Sequence, residues 1–385
     1  MKLFGQEYSR PNLLRRVGHL SQVGGVEVLA FAEGFARGVR FVDFRTGTGF
    51  RFAPIVDRGF DVGLCEYKGI PIAWTSPNRL PGPWYYEGTG DPEAWLRVGL
   101  GGLFNTGGLV TIGNPQTVPT DQYRFTQRPS DEYGIHDRLA VTPASRMSYG
   151  EDWQDDRCVL WAGAEIREQI AYGENLTLTR RYTSELGASS FQLHDVVTNE
   201  GFFPSPHQML YHFNVGFPVV SASAELIASL DGEVTPMSFS EDAPASVDRY
   251  RQFSDPEPDY GHEAYVVPMA AAEDAKVSVA IVNRQLDART GGLGVYLRYD
   301  RRQLPTYIAW RMMAEGLYVV GMEPASTPFG SRDALLEAGF PVMLAPGETR
   351  TYDLEFGILD GADAIDSFIE SLPGGRSVGT GQEGR

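Results

Sequence analysis

Leu176-Thr177-Leu178-Thr179-Arg180-Arg181-Tyr182-Thr183 alternates strictly, with Leu176, Leu178, Arg180 and Tyr182 on one side and Thr177, Thr179, Arg181 and Thr183 on the other. Successive side chains of an extended chain point to opposite faces, so the stretch reads as a half-buried antiparallel strand. The same two-residue period recurs at 37–44, 50–56, 159–166, 191–198, 209–215, 277–283, 294–299, 317–322 and 351–358, each run bounded by Gly, Pro, Asn or Asp. Helical signals are few. Asp91-Pro92-Glu93 supplies an N-cap acid and a Pro at N1 ahead of Ala94, Trp95 and Leu96. Ser331 caps a second short helix that stops at Gly339, and 362–372 is amphipathic. Closely spaced strands with so little helix predict an all-β chain, a sandwich of large antiparallel sheets with a few short helices.

The 385 residues allow one large domain or two small ones. No linker stands out. The segment 240–259, with Pro244, Pro256 and Pro258 among acids, reads equally as a boundary or as a long excursion from a single domain. The expected organisation is one β-sandwich domain over 1–360, then a short helix and a disordered Gly-rich tail within 361–385. With 33 basic against 50 acidic residues, the formal charge of −17 disfavours nucleic acid and anionic lipid as partners. No apolar run approaches the ~18 residues of a membrane span, and residues 1–16 lack the apolar region of a secretory signal. Cys65 and Cys158 fit neither a disulfide framework nor a thiolate metal site, which suits the cytoplasm. Homo-oligomerisation stays open.

The six histidines, His19, His136, His194, His207, His212 and His262, include no pair at the i, i+4 spacing of a helical zinc site. Serine-nucleophile, phosphate-loop and dinucleotide motifs are missing too, which leaves serine hydrolase, kinase and dehydrogenase readings unsupported. What stands out is polar residues in apolar strands. In Met209-Leu210-Tyr211-His212-Phe213-Asn214-Val215-Gly216, alternation puts Leu210, His212 and Asn214 on one face, the imidazole and the amide ~6.6 Å apart. Glu323 ends the apolar run 317–322 and is followed by Pro324, where a carboxylate can border a cleft. Taken singly, a strand histidine is more often a hydrogen-bonded core residue, and a terminal Glu a solvated strand end.

The order of several short motifs changes that balance. Leu3-Phe4-Gly5, Arg16-Val17-Gly18, Gly38-Val39-Arg40, 56–62, Gly101-Gly102-Leu103 and Thr106-Gly107-Gly108-Leu109 come first. His136-Asp137-Arg138, 195–201, 210–214, Gly321-Met322-Glu323-Pro324 and Pro346-Gly347-Glu348 follow. Over roughly residues 3–359, the chain resembles the aldose 1-epimerase (galactose mutarotase-like) superfamily, in particular a branch that includes deoxyribose mutarotase-like proteins. The resemblance implies a supersandwich whose concave face holds a free sugar, with no cofactor and no metal. It implies Glu323 as base and His212, as a cationic imidazole, as acid; His136 and Arg138 would hydrogen-bond sugar hydroxyls, with Asn214, Asp57, Arg58 and Asn105 at the rim.

Two features depart from the pattern. Better-known relatives carry the histidine two residues before an aromatic-Phe pair, whereas His212 directly precedes Phe213 and Leu210 occupies the other place; His207 is therefore a reserve acid. Relatives in the branch read His-Gly-Arg where this chain has His136-Asp137-Arg138, so Asp137 either alters which hydroxyl is read or is a surface turn residue. Two further readings stand beside the isomerase. One is a metal-dependent lyase or isomerase of an oxidised sugar built on His136, His207, His212 and Glu323; the other is a silent carbohydrate-binding protein. Arg40, Arg58, Arg138 and Arg311 are the candidates to recognise an anionic group.

Overall fold

The computed structural model describes residues 1–88, 90–124, 128–237, 247–287 and 289–374. The strand that opens the sequence argument runs Asn175–Glu185, and Leu176, Leu178, Arg180 and Tyr182 are buried while Thr179 and Arg181 are exposed. It lies inside an eight-stranded sheet ordered Ser145–Gln154, Arg157–Gln169, Asn175–Glu185, Ser190–Asn199, Thr349–Asp360, Leu293–Asp300, Lys276–Asn283 and Ala224–Ala228. A six-stranded sheet runs Thr235–Met237, Glu263–Val266, Thr306–Ala314, Leu317–Ala325, Leu210–Gly216 and Phe104–Gly107. A five-stranded sheet is built from Gly25–Ala30, Arg40–Arg45, Phe50–Pro54, Val62–Tyr67 and Ile70–Pro71. Every pairing between these strands is antiparallel, which is the all-β sandwich that alternation predicts.

Inward-facing aromatics tie the three sheets together. Phe44 stacks on Phe52 at 4.4 Å, Phe52 on Phe191 at 4.6 Å, and Phe191 on Phe356 at 5.6 Å. Phe356 stacks in turn on Phe213 at 5.5 Å, which meets Phe104 at 4.8 Å. Each ring excludes a large apolar area from water, and its stacked contacts fix the spacing between layers. Arg180 is wholly buried in this core; its guanidinium donates to both oxygens of Asp195, to Asp61, to the Thr106 hydroxyl and to the Gly59 carbonyl. One cation thus links its own eight-stranded sheet to the lead-in of the five-stranded sheet through Asp61 and to the six-stranded sheet through the Thr106 hydroxyl.

Some boundaries differ from the sequence reading. The run at 37–44 starts as strand only at Arg40, because Arg37 closes the preceding helical turn Gly34–Ala36 and Gly38 takes a left-handed φ of +85°. The helix expected after Asp91 is Ala94–Val98 with Glu93 at its cap position, and Asp91 instead accepts from the Glu93 N–H at 3.0 Å. Ser331 does cap Arg332–Glu337, accepting from Ala334 N–H. The amphipathic stretch is the helix Ala362–Glu370, whose Ile365 and Phe368 pack on Val282, Tyr296 and Leu359 of the eight-stranded sheet. Of the segment 240–259, residues 240–246 lie outside the described residues; beyond them Glu257 N–H donates to the Met313 carbonyl at 2.9 Å, on the six-stranded sheet. The expected tail disorder falls mostly on 375–385, also outside them. Both cysteines are buried and unbridged. No helix among the described residues is long and apolar enough to cross a membrane.

Candidate active site

Two neighbouring strands of the six-stranded sheet place the pair on which the sequence argument rests. The register that pairs Leu210 with Ala325 and Phe213 with Met322 sets His212 across from Glu323. Side chains opposed in this way share a face and touch. His212 Nε2 lies 3.2 Å from Glu323 Oε1, and both side chains are buried. Gly321 makes room for the carboxyl group, because a Cβ there would stand 2.5 Å from Glu323 Oε1. Tyr211, Phe213 and Val215 take the other face and fill the core, so the strand Leu210–Gly216 is buried on both sides instead of one.

The pair opens into a cavity of about 630 Å³. His136 enters it from a loop, its ring 5.6 Å from that of His212. Its backbone takes the left-handed φ of 53°, followed by Asp137 at 63°, a conformation disfavoured for residues with a side chain and held here by surrounding bonds. His136 N–H donates to the Gly113 carbonyl at 3.0 Å, and Gly113 N–H donates to His136 Nδ1 at 3.2 Å. Nδ1 is thereby an acceptor, which puts the ring proton on Nε2. Asp137 is buried, accepting from Val110 N–H at 3.1 Å and Thr111 N–H at 3.3 Å, so it is neither a surface turn residue nor a cavity residue. Burial and the facing Glu168 carboxyl push the Asp137 carboxyl well up. Trp95, from the helix Ala94–Val98, packs edge-on against His136 at 4.8 Å, and Trp310 against His212 at 5.4 Å.

Burial sets the electrostatics. It lowers His212 to about 4, against the Asn214 amide, which favours the charged ring. It raises Glu323 well above the ordinary carboxylate range, and it lowers His136, with His212 as a second cause. Desolvation penalises the charged form of each group, so the pair favours its neutral state, with one proton between an imidazole and a carboxyl group. That differs from the cationic imidazole and free carboxylate that the resemblance implies.

Of the expected site residues, His136, His212 and Glu323 come together, and the others do not line the cavity. Asp57 accepts from the backbone N–H of Arg40 at 2.8 Å and from its guanidinium, which fixes it in the five-stranded sheet. Arg58 is buried and donates to the Gly99 carbonyl, and burial pushes it down to about 10. Asn105 is bracketed by both backbone groups of Gly101 at 3.1 Å and takes an N–H from Asn214 at 3.2 Å. Asn214 thus stands beside His212 and braces the strand. Arg138 lies over the Tyr133 ring and donates to the Glu132 carbonyl at 3.3 Å. The reserve acid is also displaced. His207 Nδ1 faces the Leu109 carbonyl at 2.9 Å and must carry the proton, so Nε2 accepts from the Tyr352 hydroxyl at 2.8 Å. With both nitrogens engaged and burial lowering it to about 3, His207 serves the core.

Sequence reasoning did not find Glu93, His262 and the indoles of Trp74, Trp95 and Trp310 as cavity residues. Three are aromatics of the kind that usually fill cores, and only the closure of the loops over the sheet separates wall from core.

Residues 36–358 match the family described as a domain of unknown function (DUF4432). The chain belongs to that family. No curated protein matches this DUF4432 chain. Among solved structures, a candidate aldose 1-epimerase from Klebsiella pneumoniae subsp. pneumoniae MGH 78578 superposes with a TM-score of 0.76 at 20% identity, covering 89% of this chain and 85% of the other. A galactose mutarotase-like protein from Clostridium acetobutylicum gives 0.55 at 13% identity, over 87% and 99% of the two chains. The galactose 1-epimerase of Lactobacillus acidophilus NCFM gives 0.55 at 11% identity, over 88% and 100%. The DUF4432 chain therefore has the galactose mutarotase-like fold. At such identities the likeness establishes architecture alone.

Proposed function

We propose that this protein is a cofactor-free aldose 1-epimerase that interconverts the α and β anomers of a free sugar in the cytoplasm. The observation that carries the reading is the His212–Glu323 pair, 3.2 Å apart and opening into the cavity. Anomer exchange removes a proton from the C1 hydroxyl and delivers one to the ring oxygen; the C1–O5 bond breaks, C1 rotates, and the ring closes by the reverse transfers. A pair that holds one proton has both capacities at no change in net charge. The neutral imidazole accepts the hydroxyl proton while the protonated carboxyl group gives its own to O5, and closure on the other face of C1 restores both. His136, with its proton on Nε2, supplies a donor to a sugar hydroxyl.

The silent-binder reading accounts less well for this pair. His212 Nδ1 and Glu323 Oε1 are buried without a well-formed hydrogen bond. Such groups cost stability and are typical of reactive sites. The metal-dependent reading loses one of its four residues, since both ring nitrogens of His207 are engaged. The test is anomer exchange by polarimetry and by NMR saturation transfer on freshly dissolved aldoses, including 2-deoxyribose, galactose and glucose. Acceleration over buffer for at least one sugar, undiminished by EDTA, is expected. No acceleration with folded protein, for these sugars and for a 6-O-acyl glucose alike, would reject the isomerase.

A further inference from the structure

The cavity has mixed walls: Ser76, Asn78, Glu93, Asn114 and His136 offer polar groups, while another part of the lining is apolar and uncharged. Among its described lining residues there is no Lys or Arg, while two carboxyl groups, Glu93 and Glu323, belong to it. The internal residues outside the description, 89, 125–127, 238–246 and 288, include no Lys or Arg in the sequence either. Each arginine that the sequence offers for anion recognition is committed elsewhere: Arg40 to Asp57, Arg58 to the Gly99 carbonyl, Arg138 to the Glu132 carbonyl, and Arg311 to Glu263 and the Tyr265 hydroxyl. An anion here would leave water with no Lys or Arg among the described lining residues to receive it, and with two carboxyl groups beside it.

The apolar part of the wall has a direction. Antiparallel pairing sets Ile308 opposite Glu323, Trp310 opposite Gly321, Met312 opposite Val319 and Ala314 opposite Leu317. Residues two apart share a face, so Ile308, Trp310 and Met312 on one strand, with Val319 and Leu317 on the other, form an apolar track. All five line the cavity. At ~3.3 Å per residue the track runs from Glu323 about 13 Å to Val319 and about 20 Å to Leu317. Leu317 is 38% exposed, so the far end reaches solvent. Hydroxyls laid along this track would lose water and gain no partner, whereas methylenes would gain contact.

We propose that the substrate is an uncharged aldose with a free C1 hydroxyl and an alkyl or acyl chain on the sugar carbon farthest from C1, the chain lying on the Trp310–Met312–Val319 track. The requirement for a free C1 hydroxyl rests on the isomerase reading; the apolar chain and the absence of charge rest on the walls alone. The test compares glucose, 6-O-octanoylglucose and glucose 6-phosphate in two assays. One is anomer exchange, and the other is ligand titration by tryptophan fluorescence, which needs no turnover because three indoles line the cavity. Burying a methylene is worth about fourfold, so the octanoyl sugar should half-saturate at least ~10-fold below glucose, and glucose 6-phosphate should not bind. Leu317→Asp and Met312→Gln should each bring the octanoyl-to-glucose ratio toward one, Leu317 being the exposed end of the track. Tight octanoyl binding with no anomer exchange for any sugar would keep the apolar chain and the absence of charge, and would reject the isomerase together with the requirement for a free C1 hydroxyl. Equal binding of glucose and its octanoyl ester, binding of none of the three, or turnover of glucose 6-phosphate would overturn the proposal; exchange of glucose in those cases would leave the isomerase standing.

Discussion

His212 and Glu323 owe their chemistry to desolvation. If they act on one proton-transfer step, Glu323→Gln or His212→Asn should each lower kcat by about 10²- to 10⁴-fold with a smaller change in KM. The double variant should lose much less than the product, because residues that act as a unit are not additive. Steady-state anomer exchange checks both, and losses that multiply would show that the two groups serve separate steps. His207→Asn should keep most activity, since both ring nitrogens of His207 bond to core groups. The pH profile follows from the shifts. The neutral pair holds one proton; a second enters the His212 imidazole, lowered to about 4, as pH falls, and the shared one leaves the raised Glu323 carboxyl group as pH rises. The rate should therefore fall on the acid side near about 4 with loss of the base, and on the alkaline side, well above the ordinary carboxylate range, with loss of the acid. An acid limb that disappears in His212→Asn supports this assignment; one that disappears only in Glu323→Gln restores the opposite roles.

Among the elements, the strand Leu317–Ala325 is the most demanding, because it supplies the carboxyl group, the space beside it and part of the apolar track. Gly321 illustrates how tightly these are coupled: an added Cβ would lie 2.5 Å from Glu323 Oε1 and 3.2 Å from Trp310 Cβ. The carboxyl group is the end of a flexible side chain and gives way more easily than the strand. Gly321→Ala should therefore leave the thermal midpoint within a few degrees of wild type yet cut kcat by at least ~10-fold. Circular dichroism melts beside anomer-exchange rates decide it; unchanged activity would mean that the position of the carboxyl group is not critical. The partner strand, Thr306–Ala314, is not legible from alternation. It is apolar on both faces over Tyr307, Ile308, Ala309, Trp310, Met312 and Met313, since one face fills the core and the other walls the cavity.

For the whole molecule, three sheets converge on one buried cation. Arg180 is fully buried between the carboxylates of Asp61 and Asp195, with the Tyr211 hydroxyl donating to Asp195 at 2.7 Å. Arg180→Met preserves much of the volume but strands two buried carboxylates, which should cost roughly 3–5 kcal/mol of unfolding free energy. Equilibrium denaturation in urea measures it. A loss under about 1 kcal/mol would mean that the two acids take up protons at little cost instead of needing the cation.

The alternation of the 176–183 strand and its counterparts sufficed to specify an all-β sandwich, because burying one face of a strand is a local demand written with a period of two. The same local rule put His212 and Asn214 on one face, but that Glu323 lies inside the strand Leu317–Ala325, buried and across from His212, came only from the register. Nor did the local rule determine which polar residues face the cavity. Asp57, Arg58, Asn105, Arg138 and Asn214 sit in motifs as suggestive as that of His136, yet each finds a partner of its own: Arg40, Gly99, Gly101, Glu132 and Asn105. For Asp57, Arg58 and Asn214 those partners are 17, 41 and 109 residues away and are supplied by register and loop closure, which no short-range pattern encodes, while Asn105 and Arg138 turn back onto the loops that carry them, four and six residues away. The charge state of the pair belongs to the tertiary structure for the same reason. A histidine and a glutamate in sequence carry their ordinary affinities for protons, and only exclusion of water from around both reverses which form is favoured.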